Sequence, residues 1–233
     1  MRFKLQSVVL IAVSLYIIQL NINGELDLYI HPRYIVFTVF MASIGFALLV
    51  VNYVFGDKQG PSHRSGRLTM VPLGLMLLFA LLPARSLTSS TVTQRSTDVG
   101  SLVSTSDSKP ISTLFAGSSR GLKLVDWARI INSDNDEAYY SNKPAKVSGF
   151  LYDAGLGQDT IWMARFVVTC CAVDAQPIGV PVYIKDWEAT YEEDQWLEVE
   201  GEFATHSTSE GEQIVLKPTL VTEIDQPERP YAN

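Results

Sequence analysis

The sequence predicts a membrane-anchored α + β protein, in which N-terminal transmembrane helices are followed by one helix and a small antiparallel β-barrel. Three observations support this fold class. Residues 1–85 carry seven Lys or Arg and three Asp or Glu, a net charge of +4, whereas residues 86–233 have a net charge of −11. The first part contains three long uncharged runs, and the second contains segments in which apolar and polar residues alternate. This division is typical of a membrane region joined to an acidic water-exposed domain.

The three uncharged runs predict transmembrane spans at about residues 5–24, 34–56 and 68–84. A helix needs about 20 apolar residues to cross a hydrocarbon core of roughly 30 Å, and about 17 at the short end. The third run is only just long enough, so a re-entrant or interfacial segment is its alternative. The first run follows a basic start but lacks a small-x-small cleavage pattern, so we expect a retained anchor rather than a signal peptide.

Short-loop basic residues predict the orientation of these spans. Five of them precede the first span or lie between the second and third: Arg2, Lys4, Lys58, Arg64 and Arg67. The loop between the first two spans contains Glu25 and Asp27. We therefore expect a multi-pass protein of the cell (inner) membrane whose C-terminal domain is extracytoplasmic.

The segment 86–120 has the composition of a flexible linker, because seventeen of its thirty-five residues are Ser or Thr. The domain that follows is expected to cover residues 121–228, with 229–233 as a tail. It begins with a helix, since Leu124, Trp127, Ala128 and Ile131 recur at helical spacing after a cap at Ser118 or Ser119.

Five or six short strands follow this helix. The clearest is Trp196–Phe203, where Leu197, Val199, Gly201 and Phe203 alternate with three glutamates and should face inward. The remaining predicted strands are 145–151, Ile161–Cys171, Val180–Lys185, Gln213–Leu216 and Leu220–Ile224. Short strands with turn signals between them favour a small barrel resembling the oligonucleotide/oligosaccharide-binding (OB) fold.

Both cysteines of the chain lie side by side at the end of a predicted strand. If the strand is regular, Cys170 continues its buried face and acts as a small hydrophobic residue, while Cys171 is the more accessible. A strained vicinal disulfide is the second interpretation. The third is a metal or redox site formed by Cys170, Cys171 and Asp174, which would need a bulge at residues 169–172. Asp174 is otherwise expected to cap a turn at Gln176–Gly179.

Other candidate site residues have structural interpretations. Arg165, a ligand- or partner-binding candidate, is expected to pair with an acid of the domain. His206 should lie in a hairpin loop, and the acids Glu188, Glu192, Glu193 and Asp194 should form a solvated surface. Phosphate-loop, zinc-protease and nucleophile-elbow motifs are absent from the sequence, so no enzyme is expected. A domain with a net charge of −11 would repel nucleic acid. No cofactor is expected, and zinc is the alternative.

Several motifs together resemble the YcgQ-type family of permease subunits, which are membrane proteins ending in a domain of unknown function. They are Tyr29-Ile-His-Pro-Arg-Tyr34, Lys146-Val-Ser-Gly-Phe-Leu-Tyr152, Ala164-Arg-Phe-Val-Val-Thr-Cys-Cys-Ala-Val-Asp-Ala175 and Trp196-Leu-Glu-Val-Glu-Gly201. The chain departs from the family at Val173, where a small residue is expected. Its loop after the second span carries only His63, where more histidines are expected.

The resemblance implies an accessory subunit that works beside a separate polytopic permease. Together with the adjacent cysteines, this leaves two functions of different classes open. In the first, the spans bind a permease in the lipid bilayer and the barrel binds or gates that partner. In the second, a membrane-tethered thiol or metal-binding protein uses Cys170 and Cys171.

Overall fold

The computed structural model describes residues 5–55, 84–95, 121–133, 143–157, 159–208 and 211–232. The predicted third span, His63, the proposed caps Ser118 and Ser119, and most of the predicted linker lie outside these residues. The chain divides into two compact units. One comprises residues 1–86 together with Thr169–Ala172, and the other comprises residues 87–168 and 173–233.

The described part of the N-terminal unit contains two α-helices joined by a short connection. Helix α1 spans Leu5–Ile22, a 3₁₀ turn covers Glu25–Leu28, and helix α2 spans Pro32–Phe55. These helices coincide with the first two predicted spans. Within α2, Pro32–Val51 is long and apolar enough to cross a membrane, whereas the apolar part of α1, Leu10–Ile22, is shorter. By length and composition, α2 could therefore be a membrane span. A signal sequence near the N-terminus would pass the same test.

Helices α1 and α2 pack against each other through small residues. Ser14 is buried, and a Cβ added at Gly45 would lie 3.8 Å from the Ser14 hydroxyl oxygen. Ala42, one turn before Gly45, is buried as well. Such residues allow two helix backbones to approach closely. Ser43, by contrast, is exposed and donates its hydroxyl to the Val39 carbonyl on its own helix.

The second unit contains a closed five-stranded barrel, which confirms the predicted small β-barrel. Its strands are β1 (Pro144–Tyr152), β2 (Thr160–Val167), β3 (Gln176–Tyr183), β4 (Trp196–Thr208) and β5 (Gly211–Glu223). Around the barrel the order is β1-β2-β3-β5-β4. Four neighbouring pairs are antiparallel, and β3 runs parallel to β5 at Val182–Leu216. The barrel is therefore mainly, but not wholly, antiparallel.

The predicted alternation in β4 is confirmed. Leu197, Val199 and Phe203 are almost fully buried, while Glu202 is exposed. The alternation reflects the pleat of a strand, which directs successive side chains to opposite faces. Strand β4 continues to Thr208, beyond the predicted end at Phe203, and His206 therefore lies in a strand opposite Gln213 instead of in a loop.

The last strand is continuous through Pro218, where the sequence suggested an interruption. The register changes between Glu200, opposite Leu220, and Gly201, opposite Pro218. A bulge of this kind leaves one residue unpaired and lets a proline stay in a strand. A Cβ added at Gly201 would overlap the Lys217 carbonyl, so the crossing of β4 and β5 requires glycine there.

The helix that precedes the barrel is confirmed as Leu124–Ser133, here called α4. Its Asp126 carboxylate accepts a hydrogen bond of 2.9 Å from the Lys123 backbone N–H, as an acid at the third helical position does in a capping box. Leu124, Trp127, Ala128 and Ile130 are buried in the same cluster as the inward-facing residues of the barrel. The helix therefore forms part of the barrel core.

A second apolar cluster makes β2 buried on both faces. Ile161 and Met163 belong to the barrel core, whereas Trp162, Ala164 and Phe166 pack in another cluster with Phe150 and Trp196. Phe150 stacks on Phe166 with a ring-centroid distance of 5.6 Å. The near-continuous apolar run of β2 follows from this double burial.

A seven-residue helix that the composition did not predict packs into this second cluster. Helix α3, Ser89–Arg95, lies at the start of the predicted linker, and its Val92 is fully buried. The Ser89 backbone N–H and hydroxyl donate to the two Asp194 carboxylate oxygens at 2.6 and 3.0 Å. Arg95 donates to the Ala175 carbonyl. Asp194 therefore holds the start of α3 and is not part of a purely solvated acidic run.

The predicted tail is packed as well. Tyr231 and Ala232 are buried, and the Ala232 backbone N–H donates to the Phe166 carbonyl at 2.8 Å. Ala232 also forms an isolated parallel bridge with Val167. The ordered domain therefore extends beyond the boundary predicted at residue 228.

Candidate functional site

The double-cysteine segment leaves the regular strand before the cysteines are reached. Strand β2 ends at Val167, residues 169 and 170 form a bend, and a short 3₁₀ helix covers Ala172–Asp174. Because the strand has ended, Cys170 does not continue the buried Trp162–Phe166 face. The prediction that Cys170 is buried is therefore wrong: its side chain is exposed, and that of Cys171 is intermediate.

The bend also brings the two thiols to the same side. Their Sγ atoms lie 3.6 Å apart, although neighbouring side chains of a regular strand point to opposite faces. A disulfide requires about 2.05 Å between these atoms, so both cysteines are in the reduced, thiol form in this structure. A metal or redox site shared by the two cysteines would need the chain to depart from strand geometry at residues 169–172. The structure shows such a departure there.

Thr169–Ala172 belong to the same compact unit as the connection between α1 and α2. Within that unit, Cys171 forms an antiparallel bridge with Ile30. The His31 backbone N–H donates to the Cys170 carbonyl at 3.1 Å, and the Ala172 backbone N–H donates to the Tyr29 carbonyl at 2.8 Å. We call these two paired segments, residues 29–31 and 170–172, the cysteine bridge. It joins two sequence motifs that are more than a hundred residues apart.

Two side chains of the cysteine bridge, His31 and Tyr29, have defined neighbours. The His31 imidazole Nδ1 accepts a hydrogen bond of 3.1 Å from the Arg33 backbone N–H, which fixes the ring at the start of α2. The His31 ring also meets Tyr34 edge-on at 6.3 Å. The pKa of the Tyr29 phenol is raised above its ordinary value, mainly because the phenol is partly buried. The neighbouring Tyr16 and Glu25 side chains raise this pKa further.

Asp174 belongs to the barrel unit, whereas both cysteines belong to the N-terminal unit. It ends the 3₁₀ helix, and β3 begins two residues later at Gln176, where a turn was predicted. Pro177 and Gly179 are strand residues opposite Phe166 and Ala164. A Cβ at Gly179 would overlap the Met163 carbonyl, so close strand contact explains this glycine better than a turn does. Across the described ranges, no three His, Cys, Asp or Glu side chains are grouped to hold a metal ion.

Arg165 occupies a different place, on β2 of the barrel. Its Nε donates to the Ser148 carbonyl at 2.8 Å and one terminal nitrogen donates to the Ser148 hydroxyl at 3.0 Å. The guanidinium carbon lies 5.2 Å from the centre of the Trp196 ring. The predicted ion pair with an acid is wrong for the described residues, because these neutral partners stabilise the half-buried cation instead. Desolvation by burial lowers the pKa of Arg165.

The ion pairs of the described barrel involve Lys146 instead. Its Nζ lies 2.8 Å from carboxylate oxygens of both Glu198 and Glu200 on the neighbouring strand. Hydrogen bonds to Glu198 and then to Glu200 raise the pKa of Lys146 above its ordinary value. All three side chains are partly exposed, so the contacts contribute to local charge balance more than to stability.

We expect Arg165→Lys to lower the free energy of unfolding by about 1 to 2 kcal/mol, because an ammonium cannot reproduce the two-pronged donation to Ser148 or the planar contact with Trp196. Urea unfolding of the full-length chain, followed by tryptophan fluorescence, measures this loss. Lys146→Arg is the matched control on the neighbouring strand, and its effect should be within about 0.5 kcal/mol. Equal effects of the two variants would contradict the structural role assigned to Arg165.

Comparison with known families identifies the C-terminal part of the chain. Residues 123–233 match the model of the DUF1980 C-terminal domain. This range contains helix α4, the five-stranded barrel and both cysteines. No curated protein matches the chain significantly. The match supports the expectation of a domain of unknown function at the C-terminal end.

Proposed function

From the DUF1980 C-terminal domain in residues 123–233, we propose that the chain is an integral membrane accessory subunit of a permease of the YcgQ type. Its α-helices would be held in the cell (inner) membrane beside a polytopic permease. Its barrel would lie outside the cytoplasm and bind or gate that partner. The barrel acts in this proposal as a binding module and not as an enzyme.

The observation that carries the membrane part of the proposal is the surface of α2. Only 6% of the apolar segment Pro32–Val51 is buried, and its mean hydropathy is 2.5. Large apolar side chains such as Val36, Phe37 and Leu48 are more than half exposed. In water such a surface would be unfavourable, but hydrocarbon chains of a bilayer would cover it. Small residues between α1 and α2 support the same interpretation, because they are typical of helix contacts in membranes.

An accessory role fits the absence of charge in the spans. The sequence has no Asp, Glu, Lys, Arg or His between residues 5 and 24, 34 and 56, or 68 and 84. Intramembrane ionisable groups usually mark the route of an ion or a polar solute. A subunit without them would depend on a partner for the transport pathway, and the spans would supply attachment.

The topology of the barrel supports a binding role for the C-terminal domain. The order β1-β2-β3-β5-β4, with β3 and β5 parallel, favours the finer assignment to an OB-like barrel. Barrels of this class bind extended ligands, and the acidic character of residues 86–233 disfavours nucleic acid as the ligand. A protein partner at the outer membrane face is the occupant that fits the proposed location.

Co-purification of the tagged full-length chain from membranes solubilised in mild detergent tests the proposed function. We expect one polytopic membrane protein to co-purify in a fixed ratio, and mass spectrometry identifies it. A matched variant lacking residues 121–232 should still recover the partner through its spans, but transport by the complex should fail. Purification of the chain by itself, together with unchanged solute fluxes after its removal, would contradict the proposal.

The predicted orientation has a separate test. A reporter fused after Asn233 should be active on the extracytoplasmic side, because the basic residues cluster before the first span and between the second and third. The same fusion after residue 60 is the control and should report the cytoplasm. The mass of the mature protein should include residues 1–24, since we expect no signal cleavage. A cytoplasmic reporter signal at the C-terminus would mean that residues 68–84 do not cross.

A further inference from the structure

We propose that Cys170 and Cys171 form a reversible vicinal disulfide, and that its formation opens the cysteine bridge by releasing residues 29–31. The inference concerns regulation and goes beyond the accessory role. Only its setting, an oxidising extracytoplasmic space, rests on the proposed function.

Distance and access favour reaction between the two thiols. The Sγ atoms are already 3.6 Å apart, and the Cys170 side chain is exposed to reagents in solution. Thiol–disulfide exchange needs an accessible first thiolate and a second thiol close to the sulfur that has reacted. The bend at residues 169 and 170 supplies this second condition, which a regular strand would not.

The oxidant belongs to the class of low-molecular-weight disulfides, such as oxidised glutathione. The Cys170 thiolate attacks one sulfur of that disulfide, whose S–S bond breaks and releases one thiolate. The Cys171 thiolate then attacks Cys170 Sγ, forms the intramolecular S–S bond and releases the second small thiolate. The two protons lost by the cysteines are taken up by the two thiolates released. The cysteine pair is thereby oxidised by two electrons and the small disulfide is reduced to two thiols.

Closure of this ring competes with the hydrogen bonds of the cysteine bridge. The Sγ atoms must approach to about 2.05 Å, while Cα atoms across a trans peptide lie only about 3.8 Å apart, less than in ordinary disulfides. The peptide between Cys170 and Cys171 must therefore rotate. The carbonyl of this peptide, that of Cys170, accepts the hydrogen bond from the His31 N–H. The N–H of the following peptide, that of Ala172, donates to the Tyr29 carbonyl. Rotation turns the carbonyl away from His31 and displaces Ala172 from Tyr29.

Glutathione buffers of increasing oxidised fraction test the proposal on the purified full-length chain. We expect the mass of the monomer to fall by that of two hydrogen atoms. Both cysteines should stop reacting with iodoacetamide in the same step, and dithiothreitol should reverse both changes. In the oxidised form the amide of His31 should exchange its hydrogen about tenfold faster, as the loss of one ordinary hydrogen bond implies. Amides of β4, such as that of Val199, should keep their rates.

Cys170→Ser and Cys171→Ser are the matched controls, since each retains one thiol and the same backbone. Neither should form an intramolecular disulfide or change the exchange rate of His31 in oxidised buffer. Stable glutathione adducts, disulfide-linked dimers or unreacted thiols in the native chain would overturn the vicinal disulfide. An intramolecular disulfide that leaves the His31 and Ala172 rates unchanged would overturn the opening of the bridge. These outcomes are independent of permease binding, so they are distinguishable from failure of the proposed function.

Discussion

Trp127→Ala should lower the free energy of unfolding of the barrel by about 3 to 5 kcal/mol. Trp127 is fully buried, and its ring lies 4.7 Å from that of Phe203, so it fills the space between helix α4 and strand β4. Alanine would leave a cavity that the closed barrel cannot collapse to fill. Urea unfolding of the full-length chain in detergent, followed by near-ultraviolet circular dichroism, measures the change.

Trp127→Phe is the matched control for this prediction. The indole Nε1–H of Trp127 has no hydrogen-bond partner within the described part of the chain. Phenylalanine keeps an aromatic ring against Phe203 and removes a buried donor, so its cost should be only about 1 kcal/mol. Equal losses for alanine and phenylalanine would contradict the packing role and would point instead to a hidden acceptor of the indole N–H.

Local sequence patterns predicted the elements whose burial is one-sided. Strand β4 alternates because one face meets the barrel core and the other meets water, and α4 has an apolar face for the same reason. Strand β2 lost this signal because both of its faces are buried, so its pattern did not show where the strand ends. Helix α3 was missed because the packing of a single residue, Val92, and the partner Asp194 stabilise it, and both depend on tertiary contacts.

The candidate site was predictable in composition but not in geometry. The adjacency of Cys170 and Cys171 was apparent in the sequence, as was the need for a departure from strand geometry at residues 169–172. Their exposure and their pairing with residues 29–31 were not, because backbone hydrogen bonds between distant segments leave no trace in side-chain periodicity. The partner of Arg165 was misjudged because a cation can be stabilised by a carbonyl, a hydroxyl and an indole ring as well as by a carboxylate.

Ile44→Arg should prevent stable insertion of α2 into the membrane if the helix spans it as proposed. Ile44 lies at the middle of Pro32–Phe55, and 38% of its surface is exposed. An arginine at the centre of a span costs about 3 kcal/mol in insertion, whereas isoleucine favours it. Alkaline carbonate extraction of membranes should therefore release much of the Ile44→Arg variant while retaining the parent chain.

Two matched variants separate insertion from folding. Ile44→Leu conserves the apolar surface and should stay in the carbonate-resistant fraction. Glu202→Arg places the same new cation on an exposed position of β4 and should leave membrane retention unchanged. If the Ile44→Arg chain resists extraction as the parent does, α2 does not contact lipid at Ile44, and the membrane-anchored subunit proposed above loses its main support. Release of Ile44→Arg alone would mean that the exposed apolar surface of α2 is the surface that the bilayer covers.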